Sequence, residues 1–307
     1  MKGSIWLGPV AVAAICFGVT CKPAPNPPVK SAKVAELDAL AVKLRPLHAP
    51  MGKPQPGDWL EKHLEFGQAF EYYLRARPNV VEGERRVLYV QPLGEFNDTE
   101  RRIVTLTADF MGRFFGLAVK IQDDLPLSLV PETARRTHPT WDVKQILSTY
   151  VLDEVLIPRL PEDAVASIAL TTSDLWPGGG MNFVFGQASM AERVAVWSIH
   201  RNGDPTEDES SFRLCLLRTM KTAAHETGHM FSIPHCIAYE CCMCGSNNRD
   251  ELDRRPVEFC PECLIKLCWA TGVDPRRRFV ELADFCRAQG FIEEQKFYER
   301  SLGAVPQ

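Results

Sequence analysis

The sequence predicts an α/β (α+β) fold with a mixed, twisted β-sheet. A buried strand, VLYVQPL, is expected at 87–93, an amphipathic helix at 98–115 and a second strand at 117–122. This strand–helix–strand order implies some parallel pairing, because parallel neighbours need a crossover connection. A long helix expected at about 211–231 carries the most informative side chains of the chain.

The other elements follow from the spacing of apolar residues and from turn residues. The aromatic residues of 58–76 lie at helical spacing, which favours a helix that packs on the core. The remaining expected elements are helices at 31–45 and 141–158, strands at 167–172, 182–186 and 193–199, and terminal helices at 274–288 and 291–302.

Length and charge are those of an ordinary folded protein. The chain has 307 residues, a net charge of −4 and a sequence pI near 6.0, so it accommodates one sizeable domain with extensions. The basic run Arg276, Arg277 and Arg278 is short, and we interpret it as a solvated helix face. No nucleic-acid-binding motif is present, and no nucleic-acid partner is expected.

The stretch HETGHMFSIPH contains a candidate metal site. His225 and His229 are four residues apart, so on a helix they share a face and can present two imidazoles to one ion. Glu226, between them, would lie beside an open metal position, where a base is useful. The alternative is a chance histidine pair with a surface glutamate on an ordinary helix.

A third histidine makes the metal site the favoured interpretation. His235 lies six residues beyond His229 and can reach the same ion only if the helix stops and the chain turns back. Ser232 and Pro234 supply that stop, since proline cannot continue a helix. Three imidazoles with one position open for water are typical of a catalytic zinc site.

Four cysteines follow with the spacing of a second zinc site. Cys236 and Cys241 are five apart, and Cys260 and Cys263 form a CPEC pair. The alternative is that these thiols are buried packing residues or disulfide partners. Met243, between the pairs, is either a core methionine or the hydrophobic floor beneath a zinc site, the Met-turn of the metzincins.

The remaining cysteines leave their roles open. After the four candidate ligands and two cysteines near the N-terminus, an odd number is left, which is not typical of a secreted disulfide framework. Cys242 or Cys244 could also take a ligand position. The full set is Cys215, Cys242, Cys244, Cys268 and Cys286.

The combined motifs resemble the archaemetzincins, a metzincin-clan family of zinc metallopeptidases. The resemblance includes HExxHxxxxxHC, CxMxGSN, DRRP and CPxC, and extends upstream through VLYVQPLG (87–94), FFGLAV (114–119) and residues 174–196. It covers most of residues 85–270. The joint histidine and cysteine pattern makes it highly specific.

This resemblance implies a metzincin-like catalytic domain with an active-site helix, a four-cysteine zinc subsite and C-terminal helices. Glu226 would be the general base and Met243 the Met-turn residue. Two zinc ions per chain are expected. Their ligands would be His225, His229 and His235 for the catalytic ion, and Cys236, Cys241, Cys260 and Cys263 for the structural ion.

Two departures from the family pattern are present. Ser232 stands where the family has glycine, and a serine in the same left-handed backbone would add roughly 1–2 kcal/mol of strain. The gap from Met243 to Cys260 is one residue shorter than the family usually shows. A loop absorbs such a difference, so the same ligand sets are expected.

The N-terminus resembles a bacterial lipoprotein signal. Lys2 precedes an apolar run over residues 5–20, and Cys21, the candidate lipidated residue, is followed by a proline-rich tether. Thr20 replaces the usual small residue. We expect an exported lipoprotein of the bacterial periplasm or cell surface; a soluble secreted form, an uncleaved anchor and a cytoplasmic protein are the alternatives.

The expected domain organisation has five parts. They are a signal at 1–21, a linker and N-terminal helix at 22–50, a helical extension at 51–84, the catalytic domain at 85–270 and C-terminal helices at 271–307.

The expected function is hydrolysis of peptide bonds by a zinc-activated water, as an endo- or aminopeptidase acting on a peptide or protein. The substrate would lie beside a strand edge, for which 182–186 or the following strand is the candidate, unless these are ordinary core strands. A monomer is expected. The alternative is a catalytically weak or inactive lipoprotein whose zinc serves binding or structure.

Overall fold

The computed structural model describes residues 31–305. The expected signal segment and the candidate lipidation site Cys21 lie outside the described residues. Within the described range, none of the helices combines the length and the apolar character needed to cross a membrane.

The described part of the chain contains ten α-helices. They are α1 (Ala32–Leu44), α2 (Trp59–Lys62), α3 (Phe70–Arg75), α4 (Asp98–Phe115), α5 (Ser148–Tyr150), α6 (Glu209–Met230), α7 (Arg249–Arg254), α8 (Pro261–Thr271), α9 (Pro275–Gln289) and α10 (Ile292–Ala304). Helix α5 continues as a π-helical turn over Val151–Leu156.

Eight strands form two sheets in this range. They are β1 (Val87–Leu93), β2 (Ala118–Ile121), β3 (Arg135–Thr137), β4 (Lys144–Leu147), β5 (Ala164–Thr171), β6 (Asp174–Trp176), β7 (Gly186–Ser189) and β8 (Val194–Ser198).

The larger sheet is mixed and has the order β2-β1-β5-β8-β7. Its first four strands pair in parallel, and β7 joins the edge antiparallel to β8. The smaller sheet has the order β3-β4-β6, with one antiparallel and one parallel pair. The predicted α/β class and the mixed sheet are therefore confirmed.

The two faces of the larger sheet bury separate cores. Alternate residues of a strand point to opposite faces: Ile168 and Leu170 of β5 belong to the main core, with the phenylalanines of α4. Ala169 of β5 belongs to a second core, with Leu152 and Val155 of the turns after α5. Helix α6, which carries the histidine motif, packs on the main-core side, so the sheet and α4 fix its position.

The helix predicted at 98–115 has the bounds of α4, because both ends carry strong local signals. At its start, Asn97 accepts from the backbone N–H of Glu100 at 2.9 Å, and Glu100 accepts from the backbone N–H of Asn97 at 2.8 Å. At its end, Gly116 adopts a φ of +65°.

The prediction of a helix at 141–158 is wrong for the first half of that segment. Residues Lys144–Leu147 form β4 instead, and the amide of Gln145 donates to Asp174 of β6 at 2.8 Å. These residues also pair antiparallel with β3, so pairing with two other strands overrides the local helical pattern.

The continuous helix predicted at 58–76 is also wrong. Two short helices, α2 and α3, flank an irregular segment. In that segment Glu65 accepts from the indole N–H of Trp59 at 2.8 Å, and Gly67 has a φ of +63°. The segment is held by contacts with the histidine site, which the helical pattern does not show.

Two further predictions, about one strand and one arginine, are also wrong. The strand predicted at 182–186 begins only at Gly186, where β7 starts. Arg278, predicted to lie on a solvated helix face, is instead fully buried and pairs with Glu258 at 2.9 Å. An arginine so enclosed needs a partner of opposite charge, and Glu258 supplies it.

Candidate metal centre and active site

Helix α6 ends in a turn that sends the third histidine back toward the first two. The backbone N–H of Ile233 donates to Gly228 at 3.1 Å, and that of Ser232 donates to His229 at 2.8 Å. Ser232 has a φ of +63°. These bonds form a Schellman motif with Ser232 in the left-handed position usually taken by glycine. The geometry expected for the family's glycine is therefore kept by a serine.

Each of the three histidines is held through Nδ1. In His225 this atom lies 2.8 Å from the carbonyl of Cys242, and in His229 it lies 2.8 Å from the carbonyl of Ile233. Since a carbonyl oxygen only accepts, both Nδ1 atoms carry the proton and both Nε2 atoms offer a lone pair. In His235 the partner of Nδ1 is a carboxylate oxygen of Glu65, at 2.7 Å.

The three imidazoles converge. Nε2 of His225 and Nε2 of His229 lie 3.0 Å apart, and one ring nitrogen from each histidine falls within 4.8 Å of the others. Two lone pairs directed at the same point repel each other, whereas a cation between them attracts both. The arrangement therefore favours a shared metal ion.

Burial keeps the imidazoles of His225 and His229 neutral, as metal ligands must be. It lowers the pKa of His225 well below its ordinary value, and the neighbouring His229 and His235 lower it further. Burial likewise lowers the pKa of His229 to about 4.

Glu226 is buried beside the histidines and faces the edge strand β7. A Cβ on Gly186 would lie 2.7 Å from the Glu226 carboxyl oxygen, so only glycine lets the strand approach so closely. Burial raises the pKa of the Glu226 carboxyl to about 8. A neighbouring cation would lower this pKa, because it favours the ionised form.

A cleft of about 490 Å³ opens over this site. Its walls are the histidines and Glu226 on one side, β7 with the preceding loop on another, and Trp59 from the N-terminal extension. Met181, Phe183 and Phe185 of the loop make that wall largely apolar. The cleft has the size and character of a ligand site.

Met243 lies beneath α6. A Cβ on Gly228 would be 2.4 Å from the Met243 sulfur, so the methionine fills the space that this glycine leaves open. The carbonyl of Met243 also accepts from the backbone N–H of Cys236 at 2.8 Å. The predicted Met-turn residue therefore contacts the histidine helix and the start of the cysteine cluster.

The four predicted cysteine ligands are brought together and buried. Their sulfurs all lie within 4.8 Å of one another, and those of Cys236 and Cys260 are 3.6 Å apart. Backbone N–H groups of Met243 and Cys260 point at the sulfur of Cys241, at 3.4 and 3.1 Å. Such donors stabilise a thiolate.

The other described cysteines are not members of this four-sulfur group, although the Cys244 side chain contacts that of Cys236. The sulfur of Cys242 donates to the carbonyl of Lys221, and that of Cys244 to the carbonyl of Tyr239. Burial raises the pKa of Cys215 to about 11, and those of Cys268 and Cys286 to about 12. None of the nine cysteines in the described range forms a disulfide in this structure.

Both clusters fit zinc by their donor chemistry. A tetrahedral zinc with Zn–S bonds of about 2.3 Å places its sulfurs about 3.8 Å apart, close to the 3.6 Å between Cys236 and Cys260. Neutral imidazoles and thiolates are the ligands that zinc prefers. Among the described residues, these are the two groups that could hold a metal ion.

Four residues of the N-terminal extension also take part in the site. The sequence predicts only core packing for two of them, Trp59 and Tyr73, and predicts no role for Glu65 or Asn79. Glu65 contacts His235 through a hydrogen bond. Trp59 contacts His235 through an edge-on ring contact, with the ring centroids 5.1 Å apart. The backbone N–H of Asn79 donates to the Ser232 hydroxyl at 3.1 Å. Tyr73 donates to the Phe231 carbonyl at 2.9 Å. No local motif marks them, since their partners lie more than 150 residues away.

Comparison with known proteins decides the family. The model of peptidase family M54 matches residues 147–268. Human archaemetzincin-2 is 33% identical over 270 residues, which cover 77% of this chain and 74% of the human protein. The archaemetzincin of Thermococcus kodakarensis is 34% identical over 195 residues, covering 59% of this chain and 95% of that protein. The chain belongs to the archaemetzincin family.

A solved archaemetzincin from Methanopyrus kandleri is 28% identical, with a TM-score of 0.49, and the match covers 62% of this chain and 97% of that one. The predicted archaemetzincin resemblance is confirmed by the relatives, and with it the prediction of a zinc metallopeptidase. The ligand sets, the general base and the Met-turn of this archaemetzincin remain predictions about individual residues.

Proposed function

We propose that this archaemetzincin hydrolyses peptide bonds with a water activated at the three-histidine site, and that Glu226 is the general base. One observation carries the proposal: three imidazoles converge beside a buried carboxyl at the wall of an open cleft. A site with three protein ligands leaves a fourth position for water, as in catalytic zinc sites.

The proposed division of labour follows from the side chains. Bound zinc supplies a Lewis acid that acidifies a water and polarises the scissile carbonyl. Glu226 takes a proton from the attacking water and delivers it to the leaving amine. The Nδ1 hydrogen bonds of the histidines hold their rings in one tautomer and one orientation. No covalent intermediate with the protein is needed.

The substrate is proposed to bind as an extended peptide along β7. In the described range this strand pairs only with β8, and Gly186, Gln187 and Ala188 line the cleft. An edge strand offers its free N–H and C=O groups to a peptide that adds as a further strand. The apolar wall at Met181, Phe183 and Phe185 favours a peptide with apolar side chains near the cleaved bond.

The proposal includes a metzincin-like centre with two zinc ions. The second ion would be bound by the cysteine cluster Cys236, Cys241, Cys260 and Cys263, and Met243 would be the Met-turn residue. The contacts of Met243 with Gly228 and Cys236 support this role.

Export is a separate proposal that rests on the sequence alone. Cys21 would be lipidated and would attach a monomeric enzyme to a membrane, with residues 85–270 as the catalytic domain. Incorporation of a labelled fatty acid by the natural chain, lost in Cys21→Ala, would test it. Equal labelling of the two would contradict it.

A peptide-library cleavage assay on Glu226→Gln tests the proposed reaction. Glutamine keeps the shape but cannot take the proton, so we expect kcat/KM to fall about 10²–10⁴-fold with zinc content unchanged near the expected two per chain. Glu192→Gln, at an exposed position, is the control. Cleavage by the Glu226 variant at the wild-type rate would favour the binding or structural alternative, and one zinc per chain would exclude the second site.

A further inference from the structure

We propose that Glu65 is a positioning residue for the third zinc ligand, so that the segment ahead of the predicted catalytic domain completes the active site. The inference rests on the proposed function only in taking His235 as a ligand. It assigns a role in metal binding to the irregular segment between α2 and α3.

The geometry is that of a carboxylate held on a metal-binding imidazole. Oε1 of Glu65 lies 2.7 Å from Nδ1 of His235 and 2.8 Å from the indole nitrogen of Trp59. The Glu65 and His235 side chains are 24% and 19% exposed, so water competes little for the bond. With Nδ1 donating to the carboxylate, Nε2 of His235 carries the lone pair that can bind a metal ion.

His235 needs this support more than the other two histidines. His225 and His229 are fixed by the backbone of α6, and each donates to a neutral carbonyl. His235 lies beyond the end of the helix, after the left-handed turn at Ser232. A carboxylate partner fixes the tautomer and orientation of the ring and makes its other nitrogen a stronger donor to the metal.

Trp59 in turn fixes Glu65. Its indole N–H donates to the carboxylate oxygen that His235 uses, and its ring stacks on His63 at 3.8 Å between centroids. The backbone N–H of Trp59 is held by Glu251 at 2.9 Å. Trp59 also lines the cleft. The same side chain therefore contacts both Glu65, which holds His235, and the cleft in which the substrate is proposed to bind.

The test is metal affinity measured on full-length variants without substrate. Glu65→Ala removes the acceptor, Glu65→Gln keeps a neutral acceptor of the same shape, and Trp59→Phe keeps the ring but removes its donor. The matched control is Glu61→Gln, an exposed carboxylate of α2 bonded to Gly57. Cobalt substitution separates the two sites, because only the cysteine site gives thiolate-to-cobalt charge-transfer bands.

We expect Glu65→Ala to weaken metal binding at the histidine site about 10–100-fold by chelator competition. Glu65→Gln and Trp59→Phe should show smaller losses, and the cysteine-site bands should not change. A histidine-site affinity within twofold of wild type in Glu65→Gln and Glu65→Ala would overturn the proposal, as would an equal loss in Glu61→Gln. If the alanine variant does not fold, the shape-matched glutamine variant decides.

The outcome is independent of the proposed reaction. A wild-type protein that cleaves no peptide would count against the peptidase proposal, while its metal affinities would still decide the role of Glu65. In an active enzyme, the loss in Glu65→Gln should appear mainly in kcat and should be partly restored by excess zinc. A purely structural role would not give that restoration.

Discussion

Ser232 combines an unfavourable backbone conformation with a favourable hydrogen bond. Its φ of +63° costs a non-glycine residue roughly 1–2 kcal/mol. Its hydroxyl accepts from the backbone N–H of Asn79, and the Asn79 amide donates to the Met230 carbonyl at 3.0 Å. A bond of this kind contributes about 1 kcal/mol. The hydrogen bond from Asn79 therefore offsets much of the backbone strain energy at Ser232, which a glycine would not have.

Ser232→Ala should therefore be less stable than Ser232→Gly. Alanine keeps the strain and loses the bond, whereas glycine loses both, so we expect the glycine variant to be more stable by about 1 kcal/mol. Urea unfolding followed by circular dichroism measures the difference. Equal stabilities would show that the turn relaxes away from its left-handed geometry.

His48 should make the protein sensitive to acid. It packs edge-on against Phe297, with ring centroids 5.2 Å apart, and burial lowers its pKa from 6.5 to about 4. Between these values the unfolded chain binds the extra proton, so stability is full above pH 6.5 and falls as the pH approaches 4. The loss is at most roughly 3 kcal/mol.

His48→Phe should remove that part of the acid sensitivity, because phenylalanine keeps the ring contacts and has no proton to bind. The free energy of unfolding measured from pH 7 to 4 tests this, with exposed His200→Gln as the control. If the free energy of unfolding depended on pH equally in His48→Phe and in the wild type, the prediction would be contradicted.

At the scale of elements, the approach of β7 to α6 depends on Gly186. A methyl group there would lie 2.7 Å from the Glu226 carboxyl. In Gly186→Ala we expect the carboxyl to shift and kcat to fall about 10–100-fold, since small misplacements of a catalytic group are costly. Gly303→Ala, on α10 in open space, is the control. Steady-state kinetics with unchanged zinc content would establish the effect, and wild-type kcat would refute it.

Elements with strong local signals were predictable and elements made by distant pairing were not. The capping box of α4 lies within the helix's own first turn, so the sequence displays it. Residues Lys144–Leu147 form a strand because they pair with Arg135–Thr137 and with Asp174–Trp176, and no local pattern predicts the second of these partners. The same contrast holds in the candidate site. The motif spacing identifies the three histidines and the four cysteines that converge in the two groups. Glu65 belongs to no motif, because it is 170 residues away from His235 in the sequence.

At the scale of the whole molecule, the two candidate metal sites are joined through adjacent residues. Cys236 follows His235, and its backbone N–H is bonded to Met243, which packs under the histidine helix. A metal on the cysteine cluster would fix Cys236 and thereby limit the movement of His235. The sites should therefore be energetically coupled.

Cys260→Ser should weaken metal binding at the histidine site, by about tenfold or more if His235 becomes mobile. Chelator competition followed at the histidine site measures the change. Cys286→Ser, which alters a buried thiol outside the cluster, is the control. Unchanged histidine-site affinity in Cys260→Ser would mean that the sites are independent.

The bond between Glu65 and His235 also bears on the order of folding. Contacts between residues far apart in sequence require closure of a long loop and form late, whereas helices and their caps form early. Helix α6 can therefore present two histidines before the extension reaches the third. The active site would mature in two stages, with weak two-histidine binding first and tight binding only after the N-terminal segment has docked.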